Sequence, residues 1–258
     1  MKQLLVEYRP IKWLRLKKKG EVPQNWGDIK PDQLIAIAAL YKQRIGDIGF
    51  LEKMTGISQR TLKKLSDFER YKLFESFDFI SDNRPYHEFI IHNFWVKEQQ
   101  FVAPNPKLKA MSFAQFIFAD TYFADYSESG TPDDLTKFIA SLYLPGGGTF
   151  EEEEIDSRSK LFASLHPDTA EAIAINYQLL REWLALAYPL IFQKHEQTTA
   201  DEPGAKRDRN IWVKIFNNFV GDDILHDEEW ARKPINTIFT FMTRRYKENA
   251  RRPRGHAN

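Results

Sequence analysis

The spacing of apolar residues predicts a chain built mostly from helices. Over residues 31–80, and again over 112–187, apolar positions recur every three or four residues between turns, which is the period of a helix with one buried face. The alternation typical of strands occurs in residues 4–16 and 89–102. The pattern therefore predicts a mainly α, multi-helix globular protein with a minor β part, which consists of short N-terminal strands and a hairpin near 89–102.

Two helix starts near the middle of the chain are unusually well specified. Ser112 is placed to cap a helix while Gln115 reaches back toward it, the arrangement called a capping box. After a break at a glycine, Thr131 provides a second cap and Pro132 occupies the first helical position, where its missing amide hydrogen is not needed. These signals predict a helical hairpin within residues 108–144.

The N-terminal region and the domain boundaries are less sharply marked. Pro10 should break the alternating segment into one or two short strands, and the charged run Lys17–Pro23 is predicted as a loop. Residues 196–210 have little to bury and are also predicted as a loop.

We interpret the chain as an N-terminal subdomain, 1–107, of short helices with minor strands, and a C-terminal helical subdomain, 108–258; one continuous domain is the alternative.

Composition refines this picture. Among its 258 residues, the chain has 20 Phe, 10 Tyr and 6 Trp, so the core should be aromatic. The absence of cysteine excludes disulfides, thiolate metal sites and cysteine nucleophiles. The longest apolar run is too short to cross a bilayer, and the N-terminus lacks the pattern of a signal peptide. We therefore expect a soluble cytoplasmic protein with no membrane partner.

The charge is balanced in total but uneven along the chain. The formal net charge is +1, yet bases are concentrated in residues 1–20 and 244–258, and acids in 151–156. Such blocks usually lie in solvent, and a basic terminus attracts polyanions without specifying one.

One segment, residues 50–65, resembles a helix-turn-helix. A turn at Gly56 is followed by a predicted helix whose outward residues could meet DNA: Gln59, Arg60, Lys63 and Lys64. Glu52 departs from the motif, because that position normally holds a small apolar residue where the two helices touch, and a buried carboxylate is costly. The alternative interpretation is two helices joined by a left-handed Gly56, with Ser58 capping the second.

No catalytic, cofactor-binding or metal-binding residues are predicted. His87 and His92 are five residues apart, a spacing that would point their imidazoles in different directions on a helix. An acidic cluster near residue 225 lacks the regular spacing of a calcium loop and is interpreted as a solvated turn; it comprises Asp222, Asp223, His226, Asp227, Glu228 and Glu229. We therefore predict a protein that is not an enzyme and has no cofactor.

Three strings carry a resemblance to a known family: Pro106-x-Leu108-x-x-Met111-Ser112-Phe113-x-Gln115-Phe116-Ile117-x-x-Asp120, Leu135-x-x-Phe138-Ile139-Ala140-x-Leu142-Tyr143-x-Pro145, and Tyr177 to Trp183. They resemble tail assembly chaperone-like proteins, which belong to the tail modules of long-tailed bacteriophages and prophages and are encoded near the tape-measure gene. The resemblance implies a helical protein without catalysis that keeps the tape-measure protein soluble in the host cytoplasm while tail tube protein assembles around it. It assigns no functional residue to this chain, and a DNA-binding regulator using the helix-turn-helix-like segment is the alternative.

Overall fold

The computed structural model describes residues 1–11, 14–82, 84–104, 106–146, 148–192, 211–221 and 226–251. The predicted class is confirmed, because the described chain is mainly helical with small antiparallel sheets. The predicted loop 196–210 lies outside the described residues. None of the described helices has both the length and the apolar character needed to cross a membrane.

The chain forms two compact units. The first contains Met1–Tyr86 and His166–Leu179, and the second contains His87–Leu165 and the described residues from Leu180 onward. The predicted subdomains 1–107 and 108–258 stay a prediction, because compactness does not show which part of a chain folds independently.

The first unit combines a two-stranded ribbon with short helices. Its elements before residue 86 are β1 (Lys2–Ile11), β2 (Leu14–Val22), α1 (Pro31–Tyr41), α2 (Asp47–Thr55), α3 (Gln59–Leu62) and α4 (Asp67–Glu75). The unit also includes the first part of α8 (Pro167–Ala187), a helix that continues into the second unit.

The ribbon corrects the prediction for the N-terminal region. β1 continues through Pro10, and β2 covers most of the segment predicted as a loop. Pairing with β1 overrides the local composition, since Lys17 lies opposite Glu7 and forms an ion pair with it at 2.9 Å. The register shifts between Tyr8 and Ile11, so Pro10 occupies an irregular part of the ladder, where a missing donor is tolerated.

The second unit packs helices around a small antiparallel sheet. The sheet has the order β3 (Asn93–Val96), β4 (Gln99–Val102) and β5 (Leu144–Pro145), which confirms the hairpin predicted near 89–102. Besides the end of α8, its helices include α5 (Phe113–Ser129), α6 (Pro132–Leu142), α7 (Ile155–Phe162), α9 (Ile211–Val220), α10 (Asp227–Arg232) and α11 (Ile235–Arg251).

The predicted helical hairpin is formed by α5 and α6. The Ser112 hydroxyl accepts the amide hydrogen of Gln115, and the Thr131 hydroxyl accepts that of Asp134, so both predicted caps are present. The role predicted for the Gln115 side chain is wrong. Its amide nitrogen donates to the backbone oxygens of Ser141 and Leu142, both at 3.1 Å, because α5 and α6 pack closely and the end of α6 has carbonyls to satisfy.

Candidate functional site

An open groove lies among α2, α3 and α4 of the first unit. Its volume is about 1190 Å³. Leu51, which is fully buried, lies at its base, while Phe74 is half-buried and Tyr71 is 61% exposed. The remaining lining residues are Ile45, Gly46, Asp47, Ile48, Gly49, Gln59, Asp67, Arg70, Glu75 and Asp78.

The groove is shaped by the way α2 packs against α4. Phe50 is buried beneath it, with its ring centroid 5.3 Å from that of Phe74 and 5.6 Å from that of Phe77. α4 begins at a capping box, in which the Ser66 hydroxyl accepts from the Glu69 amide and the Glu69 carboxylate accepts from the Ser66 amide at 2.8 Å. The capping box thus fixes the start of α4, and the ring contact between Phe50 and Phe74 holds α4 against α2.

One face of α4 supplies much of the lining. Its contributing residues fall at helical spacing, every three or four positions: Asp67, Arg70, Tyr71, Phe74, Glu75 and, just beyond the helix end, Asp78. Tyr71 and Phe74 are central in this series, and carboxylates occur at both ends. The face is thus apolar in the middle and acidic at its margins.

Carboxylates outnumber bases in the lining. Four acids, Asp47, Asp67, Glu75 and Asp78, accompany a single base, Arg70. The Arg70 guanidinium pairs with Asp67. Lys72, which lies outside the groove, donates to Glu75 at 2.7 Å, and this hydrogen bond lowers the pKa of the Glu75 carboxyl.

Two of these carboxylates are not neutralised by a side chain among the described residues. Among the residues that the structure describes, neither Asp47 nor Asp78 has an ion pair or a side-chain hydrogen bond. The groove therefore keeps a negative potential that its own residues do not neutralise.

The two most exposed aromatic residues of α4 have different surroundings. Tyr71 lines the groove, whereas Phe68, which is 68% exposed, does not. The Lys72 ammonium lies 5.7 Å from the centre of the Phe68 ring, so that ring already has a cation above it. Tyr71 is the exposed ring placed to meet a partner in the groove, with an apolar body and a polar tip.

The residues predicted for DNA binding lie next to this groove. α3 has only four residues, Gln59–Leu62, so Lys63 and Lys64 fall beyond its end. Arg60, Lys63 and Lys64 are exposed, while Gln59 lines the groove. The structure thus places the three bases on the surface, and their role in DNA binding stays a prediction.

The surroundings of Glu52 explain how a carboxylate is accommodated where the helix-turn-helix pattern has a small apolar residue. Its carboxylate is partly exposed and accepts the Gln59 backbone amide at 3.1 Å and the Gln59 side-chain amide at 2.9 Å. The predicted cap by Ser58 is wrong, because the Ser58 hydroxyl makes no capping bond and instead lies 3.2 Å from the Thr61 hydroxyl. Gly56 has φ +70°, as the alternative interpretation requires.

The second unit contains a buried carboxylate, Asp120, whose burial and contacts the sequence did not predict. Asp120 is fully buried, and its Oδ1 accepts from Arg181 Nε at 2.7 Å while its Oδ2 accepts from Trp212 Nε1 at 2.6 Å. Both oxygens are engaged, and the contacts join α5, α8 and α9. This Asp120 cluster anchors helices to one another.

Two groups of residues considered as metal ligands from the sequence can be placed only in part. Across the described part of the chain, no group of three or more His, Cys, Asp or Glu side chains is arranged to hold a metal ion. Asp222 and Asp223 lie outside the described residues. His87 lies beside Trp183, with ring centroids 5.9 Å apart.

Comparisons with protein families, with curated proteins and with solved structures find no match to this chain. The groove is therefore interpreted from its own residues.

Proposed function

We propose that this protein is a non-enzymatic phage or prophage tail-morphogenesis protein, a tail assembly chaperone that works in the cytoplasm of the bacterial host. Its groove in the first unit binds a helical segment of the tape-measure protein. The observation that carries the proposal is the open groove, whose lining includes the exposed Tyr71 and the buried Leu51. The resemblance of the sequence to tail assembly chaperone-like proteins supplies the identity of the partner.

The dimensions of the groove support a helix as its occupant. α4, which forms one wall, has 9 residues, and a helix of that length is about 13 Å long. A partner helix of the same length, about 10 Å wide, would lay one face along the α4 wall of the groove. A small metabolite is usually enclosed on most sides, whereas this groove is open to solvent.

The small size of the contact suits a chaperone. One face of such a short helix buries less than the roughly 800 Å² per partner that is typical of stable complexes. Binding should therefore be reversible, so that the tape-measure chain is shielded during synthesis and released as the tail tube protein assembles. An open apolar groove is the usual way in which proteins recognise amphipathic helices.

The test is co-expression of the tagged protein with fragments of the tape-measure protein, scored for both capture and solubility. We expect capture with rescued solubility, and we expect Tyr71→Ala to reduce capture about tenfold, as for an anchor residue of an interface. Phe68→Ala is the matched control, because it removes an equally exposed ring of α4 outside the groove. Equal capture by the wild type and Tyr71→Ala would contradict the proposal, as would insoluble fragments in the presence of folded protein.

A DNA-binding regulator is the second candidate, supported by the exposure of Arg60, Lys63 and Lys64. Gln59 is less available than a recognition residue should be, since its side chain bonds to Glu52. This function requires an affinity for duplex DNA that falls steeply with salt and with Arg60→Glu. Binding that is unchanged in this variant would remove the DNA hypothesis.

A further inference from the structure

We infer that the groove selects a basic amphipathic helix, one with an apolar stripe flanked by lysine or arginine. This inference rests on the proposed function and names the chemistry of the segment that the groove recognises. It begins from the charge of the lining, in which four carboxylates face one guanidinium.

The four carboxylates differ in whether a neighbouring base already neutralises their charge. Asp67 is paired with Arg70, and Glu75 is paired with Lys72. Asp47 and Asp78 have no such partner among the described residues, so a cation that approaches them displaces nothing. They are the two groups whose charge a bound helix would neutralise.

The order of residues along the groove matches an amphipathic partner. The exposed ring of Tyr71 and the half-buried ring of Phe74 lie in the middle of the α4 series, and Asp78 comes one turn after Phe74. Asp47, the first residue of α2, lines the same groove. Apolar side chains of the partner would cover the rings while its bases meet the acidic margins, which is the usual arrangement of an apolar interface centre and a polar rim.

The described basic helix of this chain is a poor occupant. α11 has Arg244, Arg245, Lys247 and Arg251, but its apolar stripe is already buried within the second unit; the stripe comprises Ile235, Ile238, Phe239 and Met242. A second copy would have to unfold this helix from its own core to present that stripe. The negative margins also repel nucleic acid, so a basic helical segment of another protein is the occupant that fits.

The test uses two synthetic helical peptides of identical length and apolar stripe, one with lysine and one with glutamate at the flanking positions. Fluorescence anisotropy measures their affinity for the full chain at low and high salt. We expect the lysine peptide to bind at least about tenfold more tightly, and the difference to shrink as salt screens the rim. Tyr71→Ala should weaken binding of the lysine peptide, which places it in the groove.

Variants of Asp47 and Asp78 test whether the groove is the binding site of the lysine peptide. Asp47→Asn, Asp78→Asn and the double variant should reduce the preference for the lysine peptide, the double variant to less than about threefold. Asp32→Asn is the matched control, because Asp32 is an exposed carboxylate in the first turn of α1 of the same unit but lies outside the groove. It should keep the full preference.

The outcomes separate this inference from the proposed function. Equal binding of the two peptides, tighter binding of the glutamate peptide, or an unchanged preference in the double variant would overturn the basic-helix inference. The proposed function would still stand if capture of the tape-measure fragments depended on Tyr71. If that capture did not depend on Tyr71, the proposed function itself would fail.

Discussion

Asp120 lies in the second unit of the protein, whereas Asp47 and Asp78 lie in the first. Asp120 is fully buried, and both of its oxygens accept hydrogen bonds from side chains of other helices. Asp47 and Asp78 line an open groove and have no partner among the described residues. The aspartate of the second unit therefore forms its hydrogen bonds within the fold, whereas the two groove aspartates remain available to a binding partner.

The comparison distinguishes a carboxylate that stabilises the fold from carboxylates that are available to bind a partner. A buried carboxylate that loses its partners destabilises the fold, because an unpaired charge or donor remains out of water. An exposed carboxylate contributes little to stability but sets the potential that an approaching partner meets. Similar substitutions in the two regions should therefore change different measurements.

The largest effect should follow removal of an aromatic ring from the enclosed region. Phe239 is fully buried, and its ring lies within 6 Å of the rings of Phe116, Tyr188 and Trp212. Phe239→Ala should lower the free energy of unfolding by about 4 kcal/mol, because it leaves a cavity among these rings. Tyr71→Ala should change it by less than about 1 kcal/mol, since that ring is mostly in solvent. Urea unfolding measures both, and equal losses would contradict the contrast between the two regions.

A second comparison makes the same substitution at a carboxylate of each region. Asp120→Asn should lower the free energy of unfolding by about 3 kcal/mol, because Arg181 loses a counter-ion and one of the two hydrogen bonds to this buried side chain loses its acceptor. Asp78→Asn should stay within about 0.5 kcal/mol of the wild type. The thermal midpoint of each variant gives the comparison, and a stable Asp120→Asn protein would show that the cluster is not an anchor.

The sequence predicted local features well, because their partners are neighbours along the chain. The caps by Ser112 and Thr131 each satisfy an amide three residues later, so residue type and spacing are sufficient. The α4 face of the groove could also have been found, since its residues recur at helical spacing. That the groove is open to solvent could not have been predicted, because the exposure of its residues depends on which elements of the fold pack nearby.

The missed features depend on partners far away in sequence. Gln115 bonds to carbonyls 26 and 27 residues later, and Asp120 bonds to side chains 61 and 92 residues later. A local pattern assigned Gln115 to its own cap, and it did not indicate that Asp120 is buried or which residues it contacts. In β2 the pairing with β1 likewise overrode a lysine-rich composition that is typical of loops.

A third prediction compares a buried tyrosine with the exposed one. Tyr143 is fully buried and its hydroxyl donates to the backbone oxygen of Ile91 at 2.6 Å. Tyr143→Phe should lower the free energy of unfolding by about 2 kcal/mol, because this carbonyl loses its donor in the interior. Tyr71→Phe should be nearly neutral.

The same residue gives a pH dependence. Burial raises the pKa of the Tyr143 hydroxyl, so the unfolded chain releases this proton first as pH rises above about 10. The unfolded state then binds fewer protons than the folded state, and stability falls with pH. Unfolding curves at pH 9 and 11 should show a smaller loss in Tyr143→Phe than in the wild type. An equal loss in both would mean that the tyrosine ionises without unfolding.

The smallest effect concerns the wall of the groove itself. Glu52→Ala should lower the free energy of unfolding by about 1 kcal/mol, because the Gln59 amide at the start of α3 loses its acceptor. Ser58→Ala is the matched control and should change it by only a few tenths of a kcal/mol, since its hydroxyl makes no capping bond. Gln59 lines the groove, so Glu52→Ala should also weaken binding of a helical partner, whereas Ser58→Ala should not. If the serine variant were the more damaging of the two, the capping role would return to Ser58 and Glu52 would be left as a surface carboxylate.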